Sequence, residues 1–214
     1  MKTLKIGDNI RMISLGGVDS NIYVVDGCML IDTGTGLRKE ELDVALKEAG
    51  VSHDEITSIV NTHGHFDHIG GNGLFGNAKI LAHDLCADVI EGADNMKSYA
   101  HWFGGALEKL DCVRLKDNDI VRAGDTKLDV IHAPGHSDGS ICLFDKKSGV
   151  LFSGDVIFKN GYGRTDLSGG DGAKLRGTLR KLSQFEVKKI LPGHGGIIEG
   201  GSAHIRATID VIRA

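Results

Sequence analysis

Four times along this chain a short apolar run of strand character stops at a histidine or aspartate set among glycines: at His63, His136, Asp155 and His194. Strands that deliver polar side chains at their ends make a site along one edge of a sheet, and this recurrence constrains the fold more than any other feature. The densest of the four is Thr62-His63-Gly64-His65-Phe66-Asp67-His68-Ile69-Gly70-Gly71, which follows the apolar Ile56, Ile59 and Val60. Between His63 and His68 it sets three imidazoles and one carboxylate, and Gly64 removes a side chain so that its neighbours can turn toward one centre. Such groups crowded at a strand end are poorly satisfied without a metal, and imidazole with carboxylate is a donor set that suits zinc, iron and manganese. The plain alternative is a polar turn with Asp67 capping a helix; further candidate ligands downstream argue against it.

Read in order, Ile10 to Leu15, Asn21 to Val25 and Cys28 to Ile31 have strand character, the last two joined by a tight turn at Asp26-Gly27. They open into Asp32-Thr33-Gly34-Thr35-Gly36, where Asp32 either braces the loop and caps the next helix or accepts a hydrogen bond from a ligand imidazole. Leu42, Ala45, Leu46 and Ala49 form a helical stripe within 37–50 that ends at Gly50. A short helix or turn is expected over 69–75, a strand over 78–82 and a helix over 84–91. The stretch from Gly92 to Leu110, with Met96, Tyr99, His101, Trp102, Phe103 and Leu107, reads either as a core-packing helix or as a mobile aromatic wall of a substrate pocket. Strands follow at 113–115, 119–121, 126–131, 141–145 and 150–152, then a helix over 172–182, a strand over 187–191 and a last helix over about 202–212.

The 214 residues, with only 2 Pro and no linker-like stretch, read as a single domain, 1–214. A net charge of -4 offers no basic field for a nucleic-acid backbone, so nucleic acid is disfavoured as a partner. The start lacks the apolar core of a signal peptide, and no segment has the roughly 18 apolar residues of a membrane span, so a soluble cytoplasmic protein acting on a small molecule is expected. Cys28, Cys86, Cys112 and Cys142 are widely spaced and read as reduced thiols. Glycine, 31 of 214 residues and roughly twice its usual ~7 % share, concentrates beside the His and Asp motifs.

His63, His65, Asp67, His68, His136, Asp155 and His194 are too many donors for one tetrahedral zinc and suit two metals that share one group. Asp155 is the natural bridge, since a carboxylate can bind one ion with each oxygen whereas an imidazole cannot. Two divalent ions lower the pKa of water held between them from about 15.7 toward about 7, so hydrolysis at neutral pH needs no Ser or Cys nucleophile.

The chain resembles the metallo-beta-lactamase superfamily, and within it most the glyoxalase II group. The resemblance rests on Leu30-Ile31-Asp32-Thr33-Gly34, Thr62 to His68, Ala133-Pro134-Gly135-His136, Ser153-Gly154-Asp155 and Leu191-Pro192-Gly193-His194, in the family's order across nearly the whole chain. It implies an α/β fold, a four-layer αββα sandwich of two mixed sheets with helices outside. It also implies that His63, His65 and His136 hold the first metal, that Asp67, His68 and His194 hold the second, and that Asp155 bridges them. Zinc is the expected metal, with iron or manganese the alternatives, and Asp67 and Asp155 are the carboxylates expected to act in catalysis. The implied activity is thioester hydrolysis of the acyl-glutathione type.

The loop Gly161 to Asp171 also resembles glyoxalase II-like and persulfide dioxygenase sequences; in it Arg164 and Asp166 either brace each other or meet substrate, and Tyr162 and Trp102 are further candidate substrate contacts. Only about 20 residues follow His194, where full-length glyoxalase II adds a helical domain that grips glutathione, so tolerance for other thiol carriers is expected. The rival readings are a persulfide dioxygenase using one iron, a lactonase in which Tyr99 or Tyr162 donates to an oxyanion, and a metal-binding module without catalysis. His53, His83, His101, His132 and His204 match no ligand position and read as structural or surface residues, with His101 a possible pocket residue.

Overall fold

A computed structural model describes residues 1–212. By the clustering of its contacts the chain forms two units: residues 1–115 with 122–126, and residues 116–121 with 127 onward.

The first unit is built on a seven-stranded mixed sheet in the order β1 (Lys2–Ile6), β2 (Ile10–Ser14), β3 (Ile22–Val25), β4 (Met29–Ile31), β5 (Ser58–Val60), β6 (Lys79–His83) and β7 (Cys112–Leu115). Its first four strands pair antiparallel, and in the turn from Val25 to Cys28 between β3 and β4, where the Cys28 N–H donates to the Val25 carbonyl, the central Asp26 and Gly27 both take positive φ. From β4 onward the pairing is parallel. Parallel neighbours need crossovers, and helix α1 (Lys39–Ala49) supplies the first. It buries Leu42, Ala45 and Leu46, each Leu worth roughly 2 kcal/mol of apolar burial, and ends where Gly50 turns left-handed at φ 78. The short helix α2 (Phe66–Ile69) and helix α3 (Asp84–Gly92) complete this unit, whose core gathers Ile13, Leu30, Leu46, Ile59, Ile80 and Ile90.

The second unit carries a six-stranded mixed sheet. Its elements are β8 (Ile120–Ala123) and β9 (Thr126–His132), of which residues 122–123 and 126 count with the first unit, β10 (Ile141–Asp145), β11 (Val150–Gly154), β12 (Ile157–Phe158), β13 (Gly161–Tyr162), helix α4 (Gly172–Leu182), β14 (Lys189–Pro192), β15 (Ile198–Glu199) and helix α5 (Gly201–Val211). The sheet order is β15-β14-β11-β10-β9-β8, while β12 and β13 pair by themselves. β11 and β14 run parallel, which puts Gly154 and Pro192 side by side at the same end of the sheet. Asp171 caps α4 by accepting from the backbone N–H groups of Ala173 and Lys174, and Leu175, Leu179 and Leu182 on its inner face join Ile131, Leu151 and Ile190 in the core.

The strands and helices expected from periodicity are present within a residue or two, and α4 covers the expected 172–182. Of the two readings open for the stretch after α3, the core-packing helix is not found. Residues 92–110 form no core helix: beyond the end of α3 they hold only a 3-10 turn, Ala100–Phe103, and expose Met96 and Trp102. All four cysteines are free thiols, as expected. Burial pushes the Cys142 thiol up to about 12 and lifts that of Cys86 well above its ordinary value, so both stay protonated and inert.

Candidate functional site

In the first unit two strand ends meet. β4 stops at Ile31 and β5 at Val60, and the next residues, Asp32 and the Thr62 to His68 stretch, lie beside each other. Asp32 takes φ 58, a conformation that Asp tolerates better than most residues, and is 2% exposed. Its Oδ1 accepts from the Thr62 N–H at 2.8 Å, while its Oδ2 accepts from the Thr62 hydroxyl at 2.7 Å and faces His68 Nδ1 at 2.7 Å. A carboxylate only accepts, so His68 carries its proton on Nδ1 and keeps a lone pair on Nε2. Because the Thr62 proton goes to Asp32, its oxygen is left to accept from His63 Nδ1, 3.2 Å away, and His63 likewise keeps Nε2 for a ligand. Asp32 thus takes both roles open to it, bracing the loop through Thr62 and accepting from the imidazole of His68, a candidate ligand.

The freed nitrogens converge. His63 Nε2 lies 3.1 Å from His65 Nδ1, and His68 Nε2 lies 3.6 Å from Asp67 Oδ2. Two donors about 2.0–2.2 Å from one ion at a tetrahedral angle stand roughly 3.3–3.6 Å apart, which the His68–Asp67 spacing fits, while His63 and His65 stand somewhat closer, at hydrogen-bond distance. Behind them, Asn61 and Asn72 join their amides, Thr33 donates to Asn72, and the Thr33 N–H donates to the His68 carbonyl at 2.8 Å. The Gly70-Gly71 pair is needed for this approach, since a Cβ at either position would overlap the carbonyl oxygen of Thr35 or Thr33.

The second unit contributes three residues, each just past a strand: His136 after β9, Asp155 after β11 and His194 after β14. His136 Nε2 and His194 Nε2 both stand 3.7 Å from the same oxygen, Asp155 Oδ2. The Nδ1 of His136 donates to the backbone carbonyl of Arg164 at 2.9 Å, which fixes its tautomer as Asp32 fixes that of His68. The sequence singled out Arg164 for its side chain. Of the two roles open to it, that side chain takes the bracing one: it grips Asp166 through Nε and Nη2 at 2.8 and 2.7 Å, in the open, and holds the Asp166 carboxyl down at about 2. No sequence signal marks a backbone carbonyl for this task.

Gly163 enforces the geometry: a Cβ there would overlap the Asp155 carbonyl oxygen and press on His136 Cβ at 3.1 Å. Gly163→Ala is therefore expected to lower kcat/KM about 100-fold, the scale of a 1 Å misplacement at a reacting centre. Steady-state kinetics with metal analysis of the purified variant checks this, and wild-type values for both would show that the loop yields without moving Asp155.

Tyr162 lies in β13, half-buried against the second unit's core, and Trp102 sits exposed in the first unit, its ring tilted against that of Tyr99 at 4.5 Å. The remaining histidines are mostly structural. His53 pairs with Asp43 and stacks on Phe75, His83 caps α3, and His132 and His204 donate to the carbonyls of Asp138 and Phe158. His101 is exposed, 6.0 Å from the Trp102 ring.

Mixed sheets whose strand ends present imidazoles with fixed tautomers beside carboxylates are the framework of a metal-dependent enzyme, and these His and Asp residues are able to bind metal ions. The sequence profile of the metallo-beta-lactamase superfamily matches residues 15–194, so the chain belongs to that superfamily and is one of its metallohydrolases. The chain is 32% identical to the acyl-coenzyme A thioesterase MBLAC2 of Homo sapiens, over 88% of its own length and 79% of that protein. It is 33% identical to the hydroxyacylglutathione hydrolase of Maricaulis maris, over 67% of its own length and 49% of that protein. The crystal structure of the BLEG-1 B3 metallo-beta-lactamase matches with a TM-score of 0.76 at 29% identity, covering 90% of this chain and 95% of that one. The expected fold class, two mixed sheets with helices, is thus the one observed. Among the described residues no helix is long and apolar enough to cross a membrane.

Proposed function

We propose that this protein hydrolyses acyl thioesters, of the acyl-glutathione type, with two divalent metal ions, zinc in the first instance. His63, His65 and His136 hold one ion and Asp67, His68 and His194 the other, with Asp155 serving both. The observation that carries the metal assignment is the placing of one carboxylate oxygen, Asp155 Oδ2, at an equal 3.7 Å from two imidazole Nε2 atoms. Support for a thioester comes from two relatives, an acyl-coenzyme A thioesterase and a hydroxyacylglutathione hydrolase, whose names both describe release of an acyl group from a thiol carrier.

When bound, the ions supply Lewis acidity and an activated water at neutral pH. The chain's own part is to hold protons where they do not interfere. Asp32 and the Arg164 carbonyl hold the Nδ1 protons of His68 and His136, so Nε2 is the nitrogen that each imidazole presents as a ligand atom. The motifs offer no Cys, Lys or Glu as a general acid. A thiolate departs without one, whereas an amide nitrogen must be protonated as it leaves, and that difference favours thioesters over amides.

The test is a comparison of initial rates on lactoyl-glutathione, a simple lactoyl thioester, an acyl-homoserine lactone and nitrocefin, using protein of measured metal content. Close to two metals per chain, clear thioester turnover abolished by a chelator and restored by zinc, and little nitrocefin turnover are expected. A faster rate on the lactone would overturn the choice of thioester, and oxygen uptake with glutathione persulfide by a one-iron protein would replace hydrolysis altogether.

A further inference from the structure

Helix α2, which carries Asp67 and His68, is four residues long and too short to satisfy its own carbonyls, so its orientation depends on the segments that reach it from outside. The Asp67 carbonyl accepts from the Ser20 N–H at 3.1 Å, as the His68 carbonyl accepts from Thr33. Ser20 lies in the connection between β2 and β3, which turns through Gly16 at φ 82 and Gly17 at φ 67, and a turn on two left-handed glycines has little to fix it from within. Asp19 fixes it from without. Its side chain is 1% exposed, and its Oδ1 accepts from the Thr35 N–H and the Thr35 hydroxyl, both at 2.7 Å. Gly34 makes room for it, since a Cβ there would stand 2.9 Å from that oxygen. Arg38 crosses the same turn: its Nη1 donates to the Leu15 and Gly16 carbonyls and lies 3.9 Å from Asp19 Oδ2. Asp19 Oδ2 is buried with no hydrogen-bond partner among the described residues, so a carboxylate is held here at a cost that a residue of the turn alone would avoid.

We propose that Asp19 is a positioning residue for Asp67: by fixing its own turn on the loop after β4 it places the Ser20 N–H that holds the Asp67 carbonyl, and so sets the affinity for the ion assigned to Asp67 and His68. The inference rests on the two-metal reading for the identity of that ion. Its reach follows from the hydrogen bonds taken in order. Thr35 belongs to the loop that also donates the Thr33 N–H to the His68 carbonyl and receives the Gly71 N–H at the Gly34 carbonyl, at 3.1 Å. Asp19 therefore ties together the two segments that hold the carbonyls of consecutive candidate ligands, Asp67 and His68. Without it, Ser20 is left on a glycine turn, and the Asp67 carbonyl loses a partner that a four-residue helix cannot replace. Asp19 Oδ1 makes both bonds to Thr35, so an asparagine can accept the same pair, whereas an alanine accepts neither.

The test needs no turnover. Zinc affinities are measured on metal-stripped protein by competition against a chelator. In Asp19→Ala one of the two equivalents is expected to bind about 10–100-fold more weakly and the other as in wild type, with Asp19→Asn restoring the weakened one. Equal weakening of both equivalents, or of neither, would overturn the assignment, the first because Asp19 would then serve the fold as a whole. Where Asp19→Ala does not fold, Thr35→Val, which loses the hydroxyl donor and keeps the N–H, carries the same comparison: weakening of one equivalent supports the assignment and unchanged affinities overturn it. In the metal-free protein, hydrogen exchange at the Ser20 amide is expected to quicken about tenfold or more in Asp19→Ala while the amides of Ile59 and Val60 in β5 keep their protection. Wild-type exchange at Ser20 would overturn the assignment. A wild-type protein that takes up only one metal, with Ser20 exchange quickened in Asp19→Ala, removes the two-metal reading and leaves Asp19 as the residue that holds Asp67.

Discussion

Asp155→Ala is expected to lose more than about 100-fold in kcat/KM and to be purified with one metal per chain or fewer. Loss of an outer partner of a metal site typically costs 10–100-fold in affinity or activity, and a carboxylate that serves both ions should exceed that. The geometry explains why one side chain matters twice: His136 Nε2 and His194 Nε2 both face Asp155 Oδ2 at 3.7 Å, so its removal takes a shared anion from beside two imidazoles at once. Metal analysis after exhaustive dialysis, alongside thioester kinetics, reads both effects. Because the fold itself leans little on this side chain, the metal-free variant should melt within a few degrees of metal-free wild type. Full metal content with full rate in Asp155→Ala would dismiss the bridging assignment.

The second large effect is expected at a residue that touches no ion. In Asp32→Ala the Thr62 N–H, the Thr62 hydroxyl and His68 Nδ1 lose their common acceptor in a place where all are buried. Each buried group left unsatisfied costs about 1–3 kcal/mol, so the metal-free protein should lose roughly 3 kcal/mol or more and melt about 6–12 °C lower. Asp32→Asn keeps the shape and suits φ 58 equally well, but its amide is a weaker acceptor than a carboxylate and presents a donor at one position. It should melt close to wild type while binding one of its two metals 10–100-fold more weakly. The two variants therefore separate folding from tautomer control. Equal metal affinity in Asp32→Asn and wild type, by competition against a chelator, would show that Asp32 does not set the His68 tautomer.

Much of the fold was legible because its period is local. The stripe Leu42, Ala45, Leu46 with Gly50 behind it, and Leu175, Leu179, Leu182 behind Asp171, are helices whose burial and caps lie within one short window. Elements that bury little went unseen. β1 is an edge strand with a Lys at each of two outward positions, and β12, β13 and β15 are two residues long, too short for any period to register. The short helix or turn expected over 69–75 is the 3-10 turn Asn72–Leu74, and the preceding α2 at Phe66–Ile69 went unseen because Asp67 and His68 interrupt its apolar pattern. Residues 92–110 misled for the opposite reason: their aromatic content suggests burial, yet Met96 and Trp102 are exposed and the loop is held by backbone bonds and by Gly105 against Phe66.

The sequence by itself singled out the candidate donors, since the residue types able to hold a divalent ion are few and their spacing after apolar runs survives in one dimension. Only the tertiary structure decided how those donors are held. The acceptor for His136 is a backbone carbonyl, which every residue possesses and which therefore leaves no mark in a sequence, and it happens to belong to Arg164. The demand for Gly163 arises from the Asp155 carbonyl several residues away, and that for Gly70 and Gly71 from a loop more than thirty positions earlier. Tautomer, orientation and close approach depend on which atoms meet in space, and those meetings are fixed by how the loops fold back on one another within each unit, not by the identity of the residues next to them in the chain.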